Sequence, residues 1–375
     1  MSGRFYLDHA AGAPLVRQAR EAMDEVWQLP GNPSSLHTAG RAARRRLEES
    51  RESLAECLGA DPMEVVFTSG GTEANNLVLL GAARARRDRP RLAIGGGEHP
   101  SVAGVVARLP GRVDVLPLAS SGRLADGFEA AIGDGTALAS VMLVNNETGV
   151  VQPLDAVTAA ARGAGAWVHT DAVQAFGHLS VDFAVLGVDA MTVTAHKLGG
   201  PVGIGALVVR RDTALAAPGF GGGQERKLRS GTAMVALAAG FAAAARAALA
   251  DLDAEAARLS GLRDRLVRGV AGIDGTVVNG ASPVSPAILN VTFTGCRADD
   301  LLLMLDAAGI DCSTGSACTA GVHQPSEVLL AMGRTEADAA ASLRFSLGRA
   351  CGAAAIERVL AVLPDAVRRA RAALA

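Results

Sequence analysis

The chain has 375 residues, 49% of them apolar, which is enough for a large core in two domains or in one elaborated domain. Its 36 lysine and arginine residues and 38 aspartate and glutamate residues give a net charge of -2, so composition gives no reason to expect nucleic acid or an anionic membrane as a partner. Five cysteines, an odd number, argue against a disulfide framework and for a reducing, cytoplasmic compartment.

The N-terminal segment MSGRFYLDHA lacks the basic and apolar regions of a signal peptide, and we expect none. Residues 39–58 are predicted to form a helix that ends at Gly59, because leucines recur there at helical spacing. An apolar strand follows at Val65–Thr68, and after a Ser-Gly-Gly-Thr turn a second helix is expected to begin near Thr72.

Strand-like and helix-like segments then alternate. The predicted strands cover residues 91–96, 113–118, 138–146, 166–174, 190–197 and 205–211, and the predicted helices cover residues 100–109, 125–133 and 154–165. Near-continuous apolar strands that alternate with helices indicate a parallel sheet covered on both faces. The alanine-rich residues 233–245 fall short of the roughly 20 residues that span a bilayer, and we predict a packed helix there.

The pattern changes after a charged helix at residues 251–268. Strands are predicted at residues 275–280, 288–295 and 342–348, with helices at residues 298–309 and 352–375, which together indicate a smaller α+β domain. We therefore predict a large domain at residues 14–248 and a small domain formed by residues 1–13 and 249–375.

Several common site motifs are missing from the sequence. It contains no G-x-x-x-x-G-K-[ST] nucleotide loop, no H-E-x-x-H metal motif and no G-x-S-x-G nucleophile turn. The segment GPVGIGALVV lacks the third glycine of a dinucleotide motif, and the cysteine spacings fit no zinc site.

Two charged residues stand at predicted strand ends. Lys197 directly follows an apolar strand and precedes glycines, where α/β sheets bind ligands and where partial burial makes an amine nucleophilic. The alternative is a surface lysine that begins a loop. Asp171 ends another strand and needs a cationic partner, which is either Lys197 or the protonated ring nitrogen of pyridoxal phosphate.

Three further groups suit that cofactor. Gly71 and Thr72 open a helix whose free backbone N–H groups can hold a phosphate. His99 follows a strand and could stack on a ring, although a solvated capping histidine is the alternative. Asn145 and Asn146 could reach a phenolic oxygen, with ordinary Asx-turn chemistry as the alternative. Convergence of these strand ends predicts a pyridoxal phosphate site.

The segment GSACTAG carries Cys318 among residues with little or no side chain. Such a segment is not expected to pack into a core, so we predict a mobile loop, at residues 312–325, that lets the thiol reach a reaction partner.

Nearly the whole chain resembles the NifS/IscS-like cysteine desulfurases, within the class V, fold-type I group of pyridoxal phosphate enzymes. The resemblance rests on ten segments that occur in the family's order: YLDHAAGAPL, GNPSSLH, VFTSGGTEANNL, EHPSV, VNNETGVVQP, HTDAVQAFG, HKLGGPVGIGAL, GGGQERKLRSGT, STGSACTAG and LRFSLGR. It implies an α/β fold with a mostly parallel seven-stranded sheet in the large domain and a smaller α+β C-terminal domain.

The resemblance also implies a role for each site residue. Lys197 would be the Schiff-base lysine, Asp171 would pair with the pyridine nitrogen, and His99 would stack on the ring. The ring hydroxyl would be approached by Asn146 and Gln174. The phosphate would be bound by Gly71, Thr72, Thr194, His196 and, from a partner subunit, Thr232. The substrate carboxylate would be clamped by Arg344, with Asn32 and Arg229 nearby.

The implied reaction converts L-cysteine to L-alanine, with Cys318 attacking the substrate sulfur as a thiolate and becoming a persulfide. The implied partners are a second copy of the chain and a sulfur acceptor, either an iron–sulfur scaffold or a tRNA-thiolation enzyme. No resident metal is expected, only a transient iron–sulfur contact through Cys318. A selenocysteine lyase, another class V enzyme and a non-catalytic scaffold are the alternatives.

Some features depart from the family pattern or separate its subgroups. Gly12 and Ala13 stand where two threonines are common, so a role for those hydroxyls is not expected here. The cysteine loop resembles that of the subgroup with an extended segment. The sequence RRARAALA ends the chain without the tail that helps some members dock an iron–sulfur scaffold. Cys312 is expected to end a strand and to have no part in sulfur transfer.

Overall fold

The computed structural model describes residues 3–109, 112–315 and 324–374. Its strands are β1 (Phe5–Tyr6), β2 (Val65–Thr68), β3 (Arg91–Gly95), β4 (Arg112–Leu116), β5 (Thr136–Ser140), β6 (Trp167–Asp171), β7 (Ala190–Thr194), β8 (Gly205–Val209), β9 (Thr276–Asn279), β10 (Ile288–Phe293), β11 (Ile310–Asp311) and β12 (Ser342–Ser346).

The helices are α1 (Arg17–Trp27), α2 (Thr38–Leu58), α3 (Gly71–Ala85), α4 (Pro100–Val106), α5 (Leu154–Gly163), α6 (Phe183–Leu186), α7 (Val235–Leu249), α8 (Leu252–Val270), α9 (Ala298–Ala307), α10 (Glu327–Ala331), α11 (Glu336–Ala339) and α12 (Ala353–Ala372).

A seven-stranded sheet with the order β2-β8-β7-β6-β5-β3-β4 forms the centre of the fold. The pairs β3–β4, β3–β5, β5–β6 and β6–β7 are parallel, whereas β8 is antiparallel to both β7 and β2. The chain joins β7 to β8 through a short 3₁₀ turn instead of a crossover helix, which explains why β8 runs the opposite way. The predicted fold-type I architecture, with a mostly parallel seven-stranded sheet, is confirmed.

The strands of this sheet are buried along their length because helices cover both faces. All five residues of β5, β7 and β8 are buried, as their continuous apolar sequences predict. The alanine-rich α7 packs against α1 and α2 and is itself mostly buried. Within the described residues no single helix is long and apolar enough to cross a membrane. Taken as one segment, α7 and α8 have the necessary length and composition, but the two helices are bent by 71° relative to each other.

The C-terminal part of the chain forms a separate antiparallel sheet with the order β12-β10-β9. The N-terminal β1 pairs in parallel with β11, so the first residues of the chain lie beside this C-terminal part. The backbone of Asp8 then bridges to Ser346 at the end of β12. This arrangement brings the N-terminal segment next to the strand that carries Arg344. The domain boundaries given above stay a prediction.

Three local predictions differ from the structure. The helix predicted at residues 125–133 is only a short 3₁₀ turn at Phe128–Ala131. The strand predicted at residues 138–146 ends at Ser140, so the asparagine pair lies in a turn beyond it. Helix α1 was not predicted, although Ala19, Met23 and Val26 recur at helical spacing and are its buried positions.

Candidate active site

Lys197 lies in a 3₁₀ turn, Ala195–Lys197, that follows β7 at the carboxyl edge of the sheet, where the sequence places it. Its Nζ donates hydrogen bonds to the carbonyl oxygens of Ala10 at 2.6 Å and Ala11 at 2.9 Å. Burial, followed by the charge of Arg344, lowers the pKa of Lys197 from 10.5 to about 8. An amine with this pKa is partly neutral near neutral pH and can act as a nucleophile or a base.

Asp171 is the last residue of β6, the strand next to β7, and only 5% of it is exposed. Its Oδ2 accepts a hydrogen bond from Asn75 Nδ2 at 2.7 Å, and its Oδ1 accepts one from the backbone N–H of Val173 at 3.0 Å. Among the described residues no salt bridge joins Asp171 to Lys197, whose amine donates to backbone carbonyls instead. The alternative in which Lys197 pairs with Asp171 is therefore not seen in the structure. The buried carboxylate of Asp171 has no cationic partner among the described residues.

His99 caps the N-terminus of α4, just beyond β3. Its Nδ1 lies 2.8 Å from Ser101 Oγ and accepts a hydrogen bond from the Ser101 backbone N–H at 3.1 Å. Burial lowers the pKa of His99, the charge of Asp171 raises it, and the charge of Lys197 lowers it. Because both charges act on the imidazole, His99 belongs to the same site, and the net lowering favours its neutral form.

Gln174 joins this group through a shared backbone acceptor. Its side chain is buried, and its Nε2 donates to the carbonyl oxygen of Ala10 at 2.9 Å, the same oxygen that accepts from Lys197. The carboxamide and the amine therefore approach one point on the N-terminal segment. This position is compatible with contact between Gln174 and a ligand held at Lys197.

Helix α3 begins at Gly71, directly opposite the end of β7. Gly205 is the cross-strand partner of Thr194, and a Cβ at Gly205 would lie 2.8 Å from the backbone carbon of Gly70, so the helix start and the strand end meet closely. The N–H groups in the first turn of a helix have no partner within that helix. Together with the Thr72 hydroxyl they form a favourable place for a phosphate.

His196 and Arg229 flank this helix start. Thr194 Oγ1 donates to the carbonyl oxygen of Ile204 at 3.1 Å and accepts from His196 Nδ1, also at 3.1 Å. Burial lowers the pKa of His196 to about 4, so its ring is neutral. Arg229 Nε donates to Glu73 Oε1 at 3.2 Å, and Arg229 Nη1 is buried without a partner among the described residues. A cationic donor is therefore available beside the helix N-terminus.

Arg344 lies on β12, with its guanidinium turned toward the N-terminal segment. Its Nη1 donates to the carbonyl oxygen of Asn146 at 3.0 Å, and its Nη2 donates to Asp8 Oδ1 at 2.6 Å. Its Nε is buried and has no partner within the described part of the chain. A guanidinium with an unused donor at a site edge can bind a carboxylate in a fixed orientation.

Asn145 and Asn146 make different contacts. Asn145 Oδ1 accepts from the backbone N–H groups of Glu147 at 2.9 Å and Thr148 at 2.8 Å, so the Asx-turn alternative is right for Asn145. That turn presents the carbonyl oxygen of Asn146 to Arg344.

Two other predicted residues lie at the surface. Thr232 is exposed, and Asn32, also exposed, uses its Oδ1 to accept from the backbone N–H of Ser34 at 2.9 Å. Neither side chain is hydrogen-bonded to Lys197 or Asp171 in the described structure. Their predicted roles, one of them across subunits, stay predictions.

Cys318 lies outside the described residues, as does most of the predicted loop around it. The described chain stops at Gly315, whose N–H donates to Ser313 Oγ at 3.0 Å. Ser313 in turn pairs with the backbone of Arg344, through N–H to carbonyl hydrogen bonds of 3.1 Å and 2.6 Å. The segment that leads to Cys318 is therefore attached directly to the strand that carries Arg344.

The four described cysteines are free thiols: Cys57, Cys296, Cys312 and Cys351. Burial raises the pKa of each of them, to about 12 for Cys312 and about 11 for Cys57. A thiolate is the reactive form of cysteine, so all four are poor nucleophiles near neutral pH. Cys312 directly follows β11, close to the strand end that the sequence predicts.

Three residues without a predicted role contact the site: Asp8 contacts Arg344, Asn75 contacts Asp171 and Ser101 contacts His99. Asn75 could have been found, because it lies one helical turn after Gly71 in α3 and so shares a face with the start of that helix. Asp8 and Ser101 lie within segments of family resemblance but have no distinctive spacing.

This donor set fits pyridoxal phosphate. The carboxylate of Asp171, which has no cationic partner among the described residues, can hold a protonated ring nitrogen, and Lys197 supplies an amine of lowered pKa. The open helix N-terminus and the unpaired Arg229 Nη1 provide donors for a phosphate.

Comparison with known proteins agrees with this fit. The family model described as Aminotransferase class-V matches residues 5–359. The chain is 50% identical to an "IscS-like cysteine desulfurase" of Mycobacterium tuberculosis, over 98% of this chain and 97% of that protein. It is 38% identical to "Cysteine desulfurase IscS" of Methanosarcina thermophila, over 98% and 92% of the two chains. A solved structure titled "NIFS-LIKE PROTEIN" superposes with a TM-score of 0.91 and 31% identity, covering 98% of this chain and all of that one.

Proposed function

We propose that this chain, which belongs to the class V aminotransferase family and is a pyridoxal-phosphate-dependent cysteine desulfurase, holds its cofactor at Lys197 and accepts sulfur on Cys318. The reaction converts L-cysteine to L-alanine and transfers the sulfur to an enzyme cysteine. The observation that carries the residue assignment is the lysine of lowered pKa beside a buried aspartate that lacks a cationic partner.

The cofactor is proposed to be held at both ends. Lys197 would attach it covalently, and Asp171 would hold the proton of its ring nitrogen. Its hydroxyl would be met by Gln174 and Asn146, its ring face by His99, and its phosphate by the donors of Gly71, Thr72, Thr194 and His196. When bound, pyridoxal phosphate withdraws electrons from the α-carbon of an amino acid.

Substrate orientation is assigned to Arg344. Its buried Nε is free of protein partners in the described structure and can donate to the substrate carboxylate. Asp8, 2.6 Å from Arg344 Nη2, holds the guanidinium in place before substrate binds. Lys197 Nζ, with a pKa of about 8, is suited to exchange a proton with the substrate near neutral pH.

The sulfur transfer step is assigned to Cys318. Its thiolate would attack the substrate sulfur, so that an S–S bond forms while the bond between Cβ and sulfur breaks. The electron pair of the broken bond stays with carbon, a proton completes L-alanine, and Cys318 is left as a persulfide. The raised pKa of each described cysteine supports this assignment, because none of them offers an accessible thiolate.

Alanine release from L-cysteine by the cofactor-loaded protein tests this proposal. Cys318→Ala should lose alanine and protein-bound persulfide together, while its cofactor absorbance still responds to L-cysteine. Cys312→Ala is the matched control, because it removes a buried thiol only six residues away, and it should retain the wild-type rate. Alanine release by Cys318→Ala at the wild-type rate would refute the assignment of the nucleophile.

A homodimer is part of the proposal. Thr232 is exposed, and Phe220 in the same loop region is 96% exposed, which is compatible with a second chain covering this surface. Light scattering after size exclusion should show two chains per particle in the cofactor-loaded protein. A monomer that retains cofactor and full activity would contradict the predicted contact of Thr232 across subunits.

The sulfur acceptor is proposed to be an iron–sulfur scaffold or a tRNA-thiolation enzyme in the cytoplasm. A reducing location is supported by the four free thiols among the described cysteines. Radioactive sulfur, loaded from labelled L-cysteine and followed into each purified acceptor, distinguishes the two. Transfer to neither acceptor under conditions where the chain is fully loaded would refute both.

A further inference from the structure

A chain of hydrogen bonds, buried from Asp171 to Ser101 and part-buried at His99, connects Asp171 with His99. Asn75, on α3 and only 1% exposed, donates from Nδ2 to Asp171 Oδ2 at 2.7 Å and to Ser101 Oγ at 2.8 Å. Ser101, 8% exposed, continues the chain from Oγ to His99 Nδ1 at 2.8 Å. The four residues come from β6, α3 and the start of α4, so the chain ties together three elements of the site.

The direction of each hydrogen bond follows from the groups involved. Asp171 as a carboxylate only accepts, so Asn75 must present its NH₂ group to it, and the opposite amide orientation would place two oxygens in contact. The second hydrogen of that NH₂ group is donated to Ser101 Oγ. The Oδ1 of Asn75 is buried without a partner among the described residues, which shows that this orientation is kept at a cost.

The Ser101 oxygen accepts from Asn75, and its single hydrogen is directed at His99 Nδ1, because the lone pair of that nitrogen already faces the backbone N–H of Ser101. The backbone N–H of Ser101 is directed at the same nitrogen, at 3.1 Å. His99 Nδ1 therefore accepts from two donors and cannot also carry a hydrogen. The neutral ring must hold its proton on Nε2.

We propose that Asn75 and Ser101 are positioning residues that fix His99 as a neutral imidazole with its proton on Nε2 and couple its orientation to Asp171. This inference deepens the proposed function, because it rests on the assignment of His99 and Asp171 to the cofactor site. It gives His99 a fixed role as an Nε2–H donor until that proton is transferred. A change in the charge or position of Asp171 would therefore affect His99 through the side chains of Asn75 and Ser101.

The electrostatic surroundings agree with this arrangement. The charged groups that act on His99 are Asp171, which raises its pKa, and Lys197, which lowers it, while burial is the largest effect and lowers it. Protonation of Nδ1 would also break both hydrogen bonds from Ser101. The ring is therefore kept neutral by its partners as well as by its burial.

The test uses the cofactor-loaded full chain, labelled on histidine nitrogen and followed by NMR. The chain has seven histidines, and the His99 signals are identified by their loss in His99→Gln. In the wild type, His99 Nδ1 should show the shift of an unprotonated acceptor. Ser101→Ala should raise the proportion of the Nδ1–H form relative to Nε2–H by about fivefold, the effect of one lost hydrogen bond, and Ser101→Thr should restore the wild-type ratio.

Ser140→Ala is the matched control. Ser140 Oγ on β5 lies 2.9 Å from His169 Nδ1 on β6, a second serine–histidine contact that is separate from the site. This variant should change the His169 signals and leave those of His99 unchanged. Asn75→Ala should change the tautomer ratio of His99 in the same direction as Ser101→Ala. If Asn75→Ala does not fold, Ser101→Ala and Ser101→Thr test the inference without it.

A protonated Nδ1 in the wild type, or His99 signals that are the same in wild type and Ser101→Ala, would overturn the inference. Alanine release is measured in parallel to separate this outcome from failure of the proposed function. Loss of the predicted tautomer in a protein that releases alanine refutes the positioning role only. Absence of alanine release in a protein with the predicted tautomer refutes the proposed function only.

Discussion

The amine of Lys197 should be neutral, and therefore reactive, in a larger fraction of molecules near neutral pH than an ordinary lysine. Burial and the charge of Arg344 lower its pKa to about 8, and its Nζ donates to the carbonyl oxygens of Ala10 and Ala11. At pH 7.5 an amine with a pKa of about 8 is neutral in about a quarter of the molecules, against about one in a thousand for an ordinary lysine near 10.4. The neutral fraction, and with it the nucleophilic form, is therefore roughly 200-fold larger than for an ordinary lysine.

The sequence supplies an internal reference for this measurement, because Lys197 and Lys227 are the only two lysines of the chain. The cofactor-free protein is treated with an acylating reagent over a range of pH, and both lysines are followed by peptide mass spectrometry. The midpoint for Lys197 should lie near pH 8, well below the value near 10.4 of an unperturbed lysine side chain. Arg344→Gln should move the Lys197 midpoint upward, since the guanidinium charge lowers its pKa. A Lys197 midpoint near 10.4 or higher would refute the reasoning.

Three further substitutions test ion pairs of the chain. Glu225→Gln should lower the free energy of unfolding in urea by about 3 kcal/mol, because it removes the buried one of the two carboxylates that pair with the 7% exposed Arg51 and leaves only the more exposed Glu48. Glu25→Gln removes an exposed ion pair and should cost under about 1 kcal/mol; equal losses would contradict the importance of burial. Asp8→Asn removes the carboxylate that holds the Arg344 guanidinium in place, so L-alanine should bind about tenfold more weakly by calorimetry, the effect of about 1.5 kcal/mol for one charged hydrogen bond. Unchanged or tighter binding would contradict this role of Asp8.

Local sequence signals predicted the large sheet well. The strand at Val65–Thr68 has the predicted bounds and α2 ends at the predicted residue, because apolar runs and a helix-ending glycine are strong local signals. The antiparallel direction of β8 depends on the length of a connection, which the alternation of apolar segments does not report. The end of β5 at Ser140 was missed because the apolar run continues past it into a turn.

The charged residues of the site were predictable for a similar reason. Lys197 and Asp171 stand at strand ends, and strand ends in a parallel sheet converge at one edge. The helical spacing from Gly71 could place Asn75 beside the site, but the contact between Asn75 and Ser101 was not predictable, because it depends on side-chain directions across two different helices. Such contacts between elements that are distant in sequence leave no periodic signal in the chain.

The chemical state of Cys318 after one turnover tests the central claim most directly. The cofactor-loaded protein is mixed with a limiting amount of L-cysteine, alkylated and digested, and the cysteine-containing peptides are weighed. The account predicts that the peptide with Cys318 gains the mass of one sulfur atom, in proportion to the L-alanine released, while the peptides with Cys57, Cys296 and Cys351 gain none. Alanine formation without sulfur on the Cys318 peptide, or with sulfur on another cysteine, would contradict it.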